Sequence, residues 1–203
     1  MGHLKEADEL LSRAWSLREH AASWTKVNLA QEIADLRIYQ ENFADALYWF
    51  AQAKEILDAA ELDEPERTRR EITSLYYYGI MCYKQQDYAL AEKCFRDMVE
   101  QAQNIGWQRA IIYAQNWLAE LAIAYNRLDE AEDLLVTGLP VAERNKDRRR
   151  TAHYKRSFAY LRLKQGNLDE VHRYAEESYD DFERLGMRLE MEEMQVLLQQ
   201  SQV

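Results

Sequence analysis

Apolar positions in this chain recur at helical spacing, in blocks separated by short polar breaks. Ile111, Leu118, Leu121, Ala122 and Tyr125 form one such stripe. Asn126-Arg127 interrupts it, and Leu128, Ala131, Leu134, Leu135, Gly138 and Leu139 resume it. This reads as two helices joined by a tight turn. Gln40-Glu41-Asn42, Gln85-Gln86-Asp87 and Gln165-Gly166-Asn167 are breaks of the same kind. The pattern itself repeats. Leu4/Ala7, Phe43/Ala46, Tyr88/Ala91, Leu128/Ala131 and Leu168/Val171 open successive second helices, with 39, 45, 40 and 40 residues between the second members. Ala34, Gly79, Ala119 and Ala159 each lie 12 residues before the last four of those members, on the preceding first helix.

A period of this size means stacked helical units. Small residues on both helices of a pair let the backbones approach, and flanking leucines and aromatics fill the space around the contact. No pair can bury its apolar face alone, so neighbours must stack. The pattern therefore predicts an all-α fold, an α-solenoid of about ten helices in antiparallel pairs. The helices fall near 3–20, 25–40, 43–58, 66–85, 88–104, 107–125, 128–145, 147–165, 168–184 and 187–200. Pro65 suits a helix's first turn, where a missing N–H is harmless, and explains the one long interval. Pro140 lies inside a second helix and predicts a kink there.

The motifs resemble tetratricopeptide repeats. They are Gly2-x-Leu4-x-x-Ala7, Tyr78-Gly79 followed by Gln86-Asp87-Tyr88-Ala89-Leu90-Ala91, and Leu118-Ala119 followed by Leu128-Asp129-Glu130-Ala131, with Gln165-Gly166-Asn167-Leu168-Asp169-Glu170 as a further copy. The resemblance covers essentially the whole chain and implies a single right-handed superhelix over residues 1–203. The period is longer than the family's usual one and the closing proline is absent; helices instead end at Ile105-Gly106 and Leu185-Gly186. Long units of this kind are similar to the sensor arms of bacterial signalling ATPases of the NB-ARC or maltose-activator type, and to peptide-sensing regulators.

The resemblance also implies that first helices line a concave binding face. It would carry Asn28, Gln31, Asp35 and Tyr39, then Thr73, Tyr76, Ile80 and Lys84. Tyr113, Asn116 and Glu120 follow, and finally His153, Arg156, Tyr160 and Lys164. Tyrosine offers rigid contact area with a polar tip, asparagine can clasp a peptide backbone, and arginine or lysine can receive a carboxylate. Tyr77, Tyr78 and Tyr125 read instead as packing between helices. The expected function is protein or peptide binding, as the recognition arm of a larger regulator; a free-standing scaffold that assembles protein complexes is the alternative.

Charge narrows the choice. With 26 basic and 36 acidic residues the net charge is −10, which argues against tracking nucleic-acid phosphates. The one basic run, Lys146-Asp147-Arg148-Arg149-Arg150, reads as solvated residues at a junction between units. No apolar stretch is long enough to span a membrane, and neither a secretory start nor a disulfide framework is present, so a cytoplasmic protein is expected. The four histidines lack metal-ligand spacing, Cys82 and Cys94 lack a C-x-x-C pattern, and no phosphate loop or nucleophile elbow occurs. Neither an enzyme nor a cofactor is expected. The chain opens on a second helix and closes on a first one, which suggests a piece of a longer protein. The unpartnered first helix, with Leu4, Ala7, Leu10, Leu11, Ala14 and Leu17, predicts weak self-association.

Overall fold

The structure, a computed structural model, describes residues 2–201, with side chains from Leu4 onward. Among these residues there are ten α-helices and no strand. They are α1 (Gly2–Ser16), α2 (Ser23–Tyr39), α3 (Phe43–Ala59), α4 (Glu64–Lys84), α5 (Tyr88–Asn104), α6 (Gln108–Ala124), α7 (Leu128–Arg144), α8 (Arg148–Gln165), α9 (Leu168–Leu185) and α10 (Arg188–Gln200). The chain forms two compact units, 1–107 and 108–203. Within each unit consecutive helices pack as antiparallel pairs, the arrangement of an α-solenoid. No helix among the described residues is long and apolar enough to cross a membrane.

The turns explain why the helices stop where they do. Glu41, Gln86, Asn126 and Lys146 take left-handed φ values of 57°, 63°, 59° and 55°, and Gly166 takes 75° at the same place in its turn. That conformation ends one helix, and the next residue starts another. Asn42, Asp87, Asp147 and Asn167 each accept the backbone N–H of the third residue beyond, at 3.1–3.3 Å. Such caps satisfy donors that a helix start leaves unpaired. α4 begins at Glu64, two residues before the expected start, capped by Asp63, and Pro65 lies in its first turn as expected. α7 continues through the exposed Pro140 to Arg144.

The first helix is shorter than expected. α1 ends at Ser16, and a 3-10 turn spans Arg18–His20. Ser16 Oγ donates to the Arg13 carbonyl at 2.7 Å, Leu17 N to Ala14 O at 3.2 Å, and the Arg18 guanidinium to Trp15 O at 2.8 Å. Side chains that capture the last carbonyls, together with tighter backbone bonds, close the helix one turn early. Leu10 and Leu17 remain 61% and 71% exposed.

Small residues sit at the close contacts. Ala34, Ala46, Ala91, Ala119, Ala131, Ala159 and Val171 are all fully buried. In the second unit the inner part of the seam between α7 and α8 is filled by one aromatic. Tyr154 of α8 is fully buried over Gly138 of α7, where an added Cβ would come within 2.1 Å of the phenol oxygen. Its hydroxyl donates to the Ile112 carbonyl of α6 at 2.8 Å, so one side chain joins three helices. In the first unit the residue at the same place, five before the small residue of its first helix, is Ser74 (Ser74 before Gly79, Tyr154 before Ala159). There α3 and α4 enclose a cleft of about 400 Å³.

Candidate functional site

First helices carry the candidate site, and the two units treat it alike. In the first unit Gln31 of α2 is 1% exposed, and its Nε2 donates to Ser74 Oγ and to the Arg70 carbonyl of α4, each at 2.8 Å. The Arg70 guanidinium in turn donates to Asn28 and pairs with Glu66. In the second unit Asn116 of α6 is 3% exposed and donates from Nδ2 to Ser157 Oγ of α8 at 2.8 Å. Arg150 donates to Asn116 Oδ1 at 3.1 Å and stacks 3.6 Å from the Tyr113 ring. Gln31 and Asn116 hold the same repeat position, three before Ala34 and Ala119. Arg70 and Arg150 also share one, nine before Gly79 and Ala159. A buried amide bonded to a serine thus joins successive first helices in both units; the arginine contributes its backbone carbonyl in the first and its guanidinium in the second, and the Gln31 oxygen stays buried without a hydrogen-bond partner.

Charge continues the network in the second unit. The Arg156 guanidinium lies between Glu120 at 3.1 Å and Glu193 of α10 at 3.5 Å. Burial opposes its charge, but the two carboxylates outweigh that penalty and hold it protonated beyond its ordinary range. Ser157 donates to Glu120 as well, and Tyr160 donates to Glu193. Burial first, and then the Glu193 charge, push the Tyr160 phenol up. His153 packs edge-on to Phe182 at 5.2 Å; burial and then the Arg156, Arg150 and Arg149 charges keep it neutral well below its usual range. Near the solvent edge, Arg109 donates to the Tyr113 hydroxyl at 2.9 Å and to Asp147 at 3.2 Å.

The expected binding residues therefore divide. Gln31, Ile80, Asn116 and Glu120 are buried and do not line an open face. This corrects the sequence reading, because polar first-helix positions are covered by the next first helix once the pairs stack. Arg156 is largely spent on its two carboxylates, and His153 is tucked against α9. Asn28, Asp35, Tyr39, Thr73, Tyr76, Tyr113 and Tyr160 are half-buried, whereas Lys84 and Lys164 are exposed. Lys84 lies 5.5 Å from the Tyr39 ring. Tyr77 reaches across to α2, donating to Glu32 at 3.1 Å; burial, then Asp35 and Glu32, push its phenol up. Tyr125 is 45% exposed rather than packed between helices. Arg150 is the buried exception in the basic run, which otherwise is solvated except for the helix-capping Asp147.

No family model and no curated protein matches the chain. The site is accordingly read from its own geometry. Among the described residues no group of three or more His, Cys, Asp or Glu could hold a metal ion. Cys82 and Cys94 are buried between α4 and α5 and interact with each other. The contact with Cys94, together with burial, pushes the Cys82 thiol up, and the same contact draws the Cys94 thiol down.

Proposed function

We propose that this chain is a protein- or peptide-binding helical-repeat module that serves as the recognition arm of a larger bacterial signalling or transcription regulator. One observation carries the reading. In each unit a buried amide–serine lock fixes neighbouring first helices, and an aromatic–cation pair stands at their open edge: Tyr39 with Lys84, and Tyr113 with Arg109. Such pairs present flat apolar area and a cation in fixed geometry, so little ordering entropy opposes capture of a ligand. Tyrosine and arginine are the residue types that carry most energy in protein interfaces. The resemblance to tetratricopeptide repeats supports the same reading, since those arrays bind extended segments along their first helices.

The test is selection of binders from a random peptide library on the immobilised chain, followed by affinity measurement with purified peptides. Lys84→Ala or Arg109→Ala should weaken the selected peptides by about tenfold or more, the scale of a lost anchor, with the melting temperature nearly unchanged. The proposal is overturned if no sequence is enriched, or if the double variant binds as the wild type does.

A further inference from the structure

The cleft between α3 and α4 lies apart from the Tyr39–Lys84 edge, and Ser74 of the first-unit lock is the one lock residue that lines it. Phe50 and Leu57 of α3 face Leu75 and Tyr78 of α4, with the Phe50 and Tyr78 rings edge to face at 5.8 Å. Its volume is within the range of ordinary ligand sites, about 300–1,000 Å³. Gln101 of α5 also lines it, and the Gln101 side-chain oxygen is buried without a hydrogen-bond partner. A buried acceptor left unpaired costs free energy, roughly 1–3 kcal/mol in general, so it marks where a donor belongs. Lys54 and Asp58, which also line the cleft, pair with each other at 2.8 Å, so Glu71, exposed at the rim, leaves the opening net acidic, as the whole chain is.

The second unit shows what chemistry fills such a seam. There a phenol from the chain itself enters between second and first helix, burying its ring and giving its hydroxyl proton to a carbonyl. In the first unit the corresponding position is a serine, already held by Gln31, and the seam is open. We infer that the α3–α4 cleft is a docking site for a tyrosine side chain on a basic segment of a partner protein. The ring lies among Phe50, Leu57, Leu75 and Tyr78, the hydroxyl meets the Gln101 amide, and a flanking lysine or arginine meets Glu71. A phenol hydroxyl both donates and accepts, so it satisfies that amide in either orientation.

The experiment follows backbone amide chemical shifts of the intact chain during titration with the blocked tripeptide Lys-Tyr-Lys. Its Lys-Phe-Lys and Lys-Ala-Lys counterparts, and free p-cresol, are run beside it. The tyrosine peptide should shift amides around Phe50, Leu75 and Gln101. The phenylalanine peptide should bind about fivefold more weakly, the size of one neutral hydrogen bond, and the alanine peptide should leave those amides unmoved. Gln101→Leu should remove the preference for tyrosine over phenylalanine and keep the weaker binding. Glu71→Lys, at the exposed rim, should weaken both lysine-flanked peptides. Ser74→Tyr gives the first unit a plug of its own and should abolish binding. Equal binding of the alanine peptide, shifts confined to the edge around Tyr39 and Lys84, or unaltered selectivity in Gln101→Leu would each overturn the inference. If p-cresol bound as tightly as the peptide, a free phenol rather than a protein segment would be the occupant, and the inference as stated would fail. Shifts at the cleft with none at the Tyr39–Lys84 edge would support this site independently of the first-helix reading.

Discussion

The seam between α3 and α4 and the seam between α7 and α8 occupy the same place in the repeat, yet the first is open to its inner residues, whereas the second is packed inside around Tyr154 and keeps an outer pocket of about 310 Å³ beside Glu143, Thr151 and Asp181. Two sequence differences account for this. The closed seam pairs a large residue with none: Tyr154 lies over Gly138. The open seam pairs Ser74 with Ala53 at the matching positions, and α4 starts about one turn earlier relative to its small residue than α8 does. A longer entry holds the helices apart, and a small side chain cannot close the gap. Nothing in the fold class demands a sealed seam at every junction. Whether a junction becomes packed core or binding surface turns on one or two positions.

The largest expected effect comes from making the closed seam resemble the open one. Tyr154→Ser should destabilise by about 3–5 kcal/mol, the range for truncating a buried aromatic. Ser74→Ala should cost under about 1.5 kcal/mol, since Gln31 keeps its bond to the Arg70 carbonyl. Denaturant unfolding of both variants is the check, and comparable losses would dissolve the distinction between the seams. Next, Gly138→Ala should cost about 2–3 kcal/mol, although alanine is the better helix former, because its methyl would overlap the Tyr154 phenol. Ala119→Leu should cost about 1–3 kcal/mol for the same reason, at the α6–α7 contact. A melting temperature equal to wild type in either variant would mean that the helices do not approach there.

The locks should behave alike in the two units. Gln31→Ala and Asn116→Ala should each cost about 1–3 kcal/mol, because each leaves buried polar partners unsatisfied. A loss in one alone would show that the shared repeat position is not a shared role. The smallest effect is a pH slope. His153 is neutral when folded and has a folded pKa well below its unfolded value of 6.5. The unfolded chain therefore binds the extra proton, and this contribution to stability is lost as pH falls through about 6.5. Its limiting slope is about 1.4 kcal/mol per pH unit. Melting followed from pH 7.5 to 5.5 should fall less steeply in His153→Gln than in wild type.

Helix positions were legible because periodicity and turn residues agree. Leu128, Ala131 and Leu135 specify a face, and Asn42, Asp87 and Asn167 announce a start. The early end of α1 was not legible, since it rests on Ser16 and Arg18 turning back onto carbonyls while the apolar stripe continues through Leu17. Polar first-helix positions were harder still. Gln31, Asn116 and Glu120 look solvated by residue type, and only the stacking of the next first helix covers them. Arg150 was hidden inside a run of exposed cations. The difference between Ser74 and Tyr154 could have been seen by aligning the repeats on Gly79 and Ala159, but hydrophobic patterning counts both as ordinary helical positions.

Tyr154 also bears on how the second unit comes apart. Its ring and hydroxyl bind α6, α7 and α8 at once, so none of the three can separate without breaking the same buried contact. Those helices should therefore exchange their amide protons as one cooperative block. In the first unit α2 and α4 are joined by the Gln31 lock, without such an aromatic bolt through α3, so α2–α3 and α4–α5 should part at lower free energy once that lock breaks. The aromatic that closes a seam thereby sets the size of the smallest piece that can unfold.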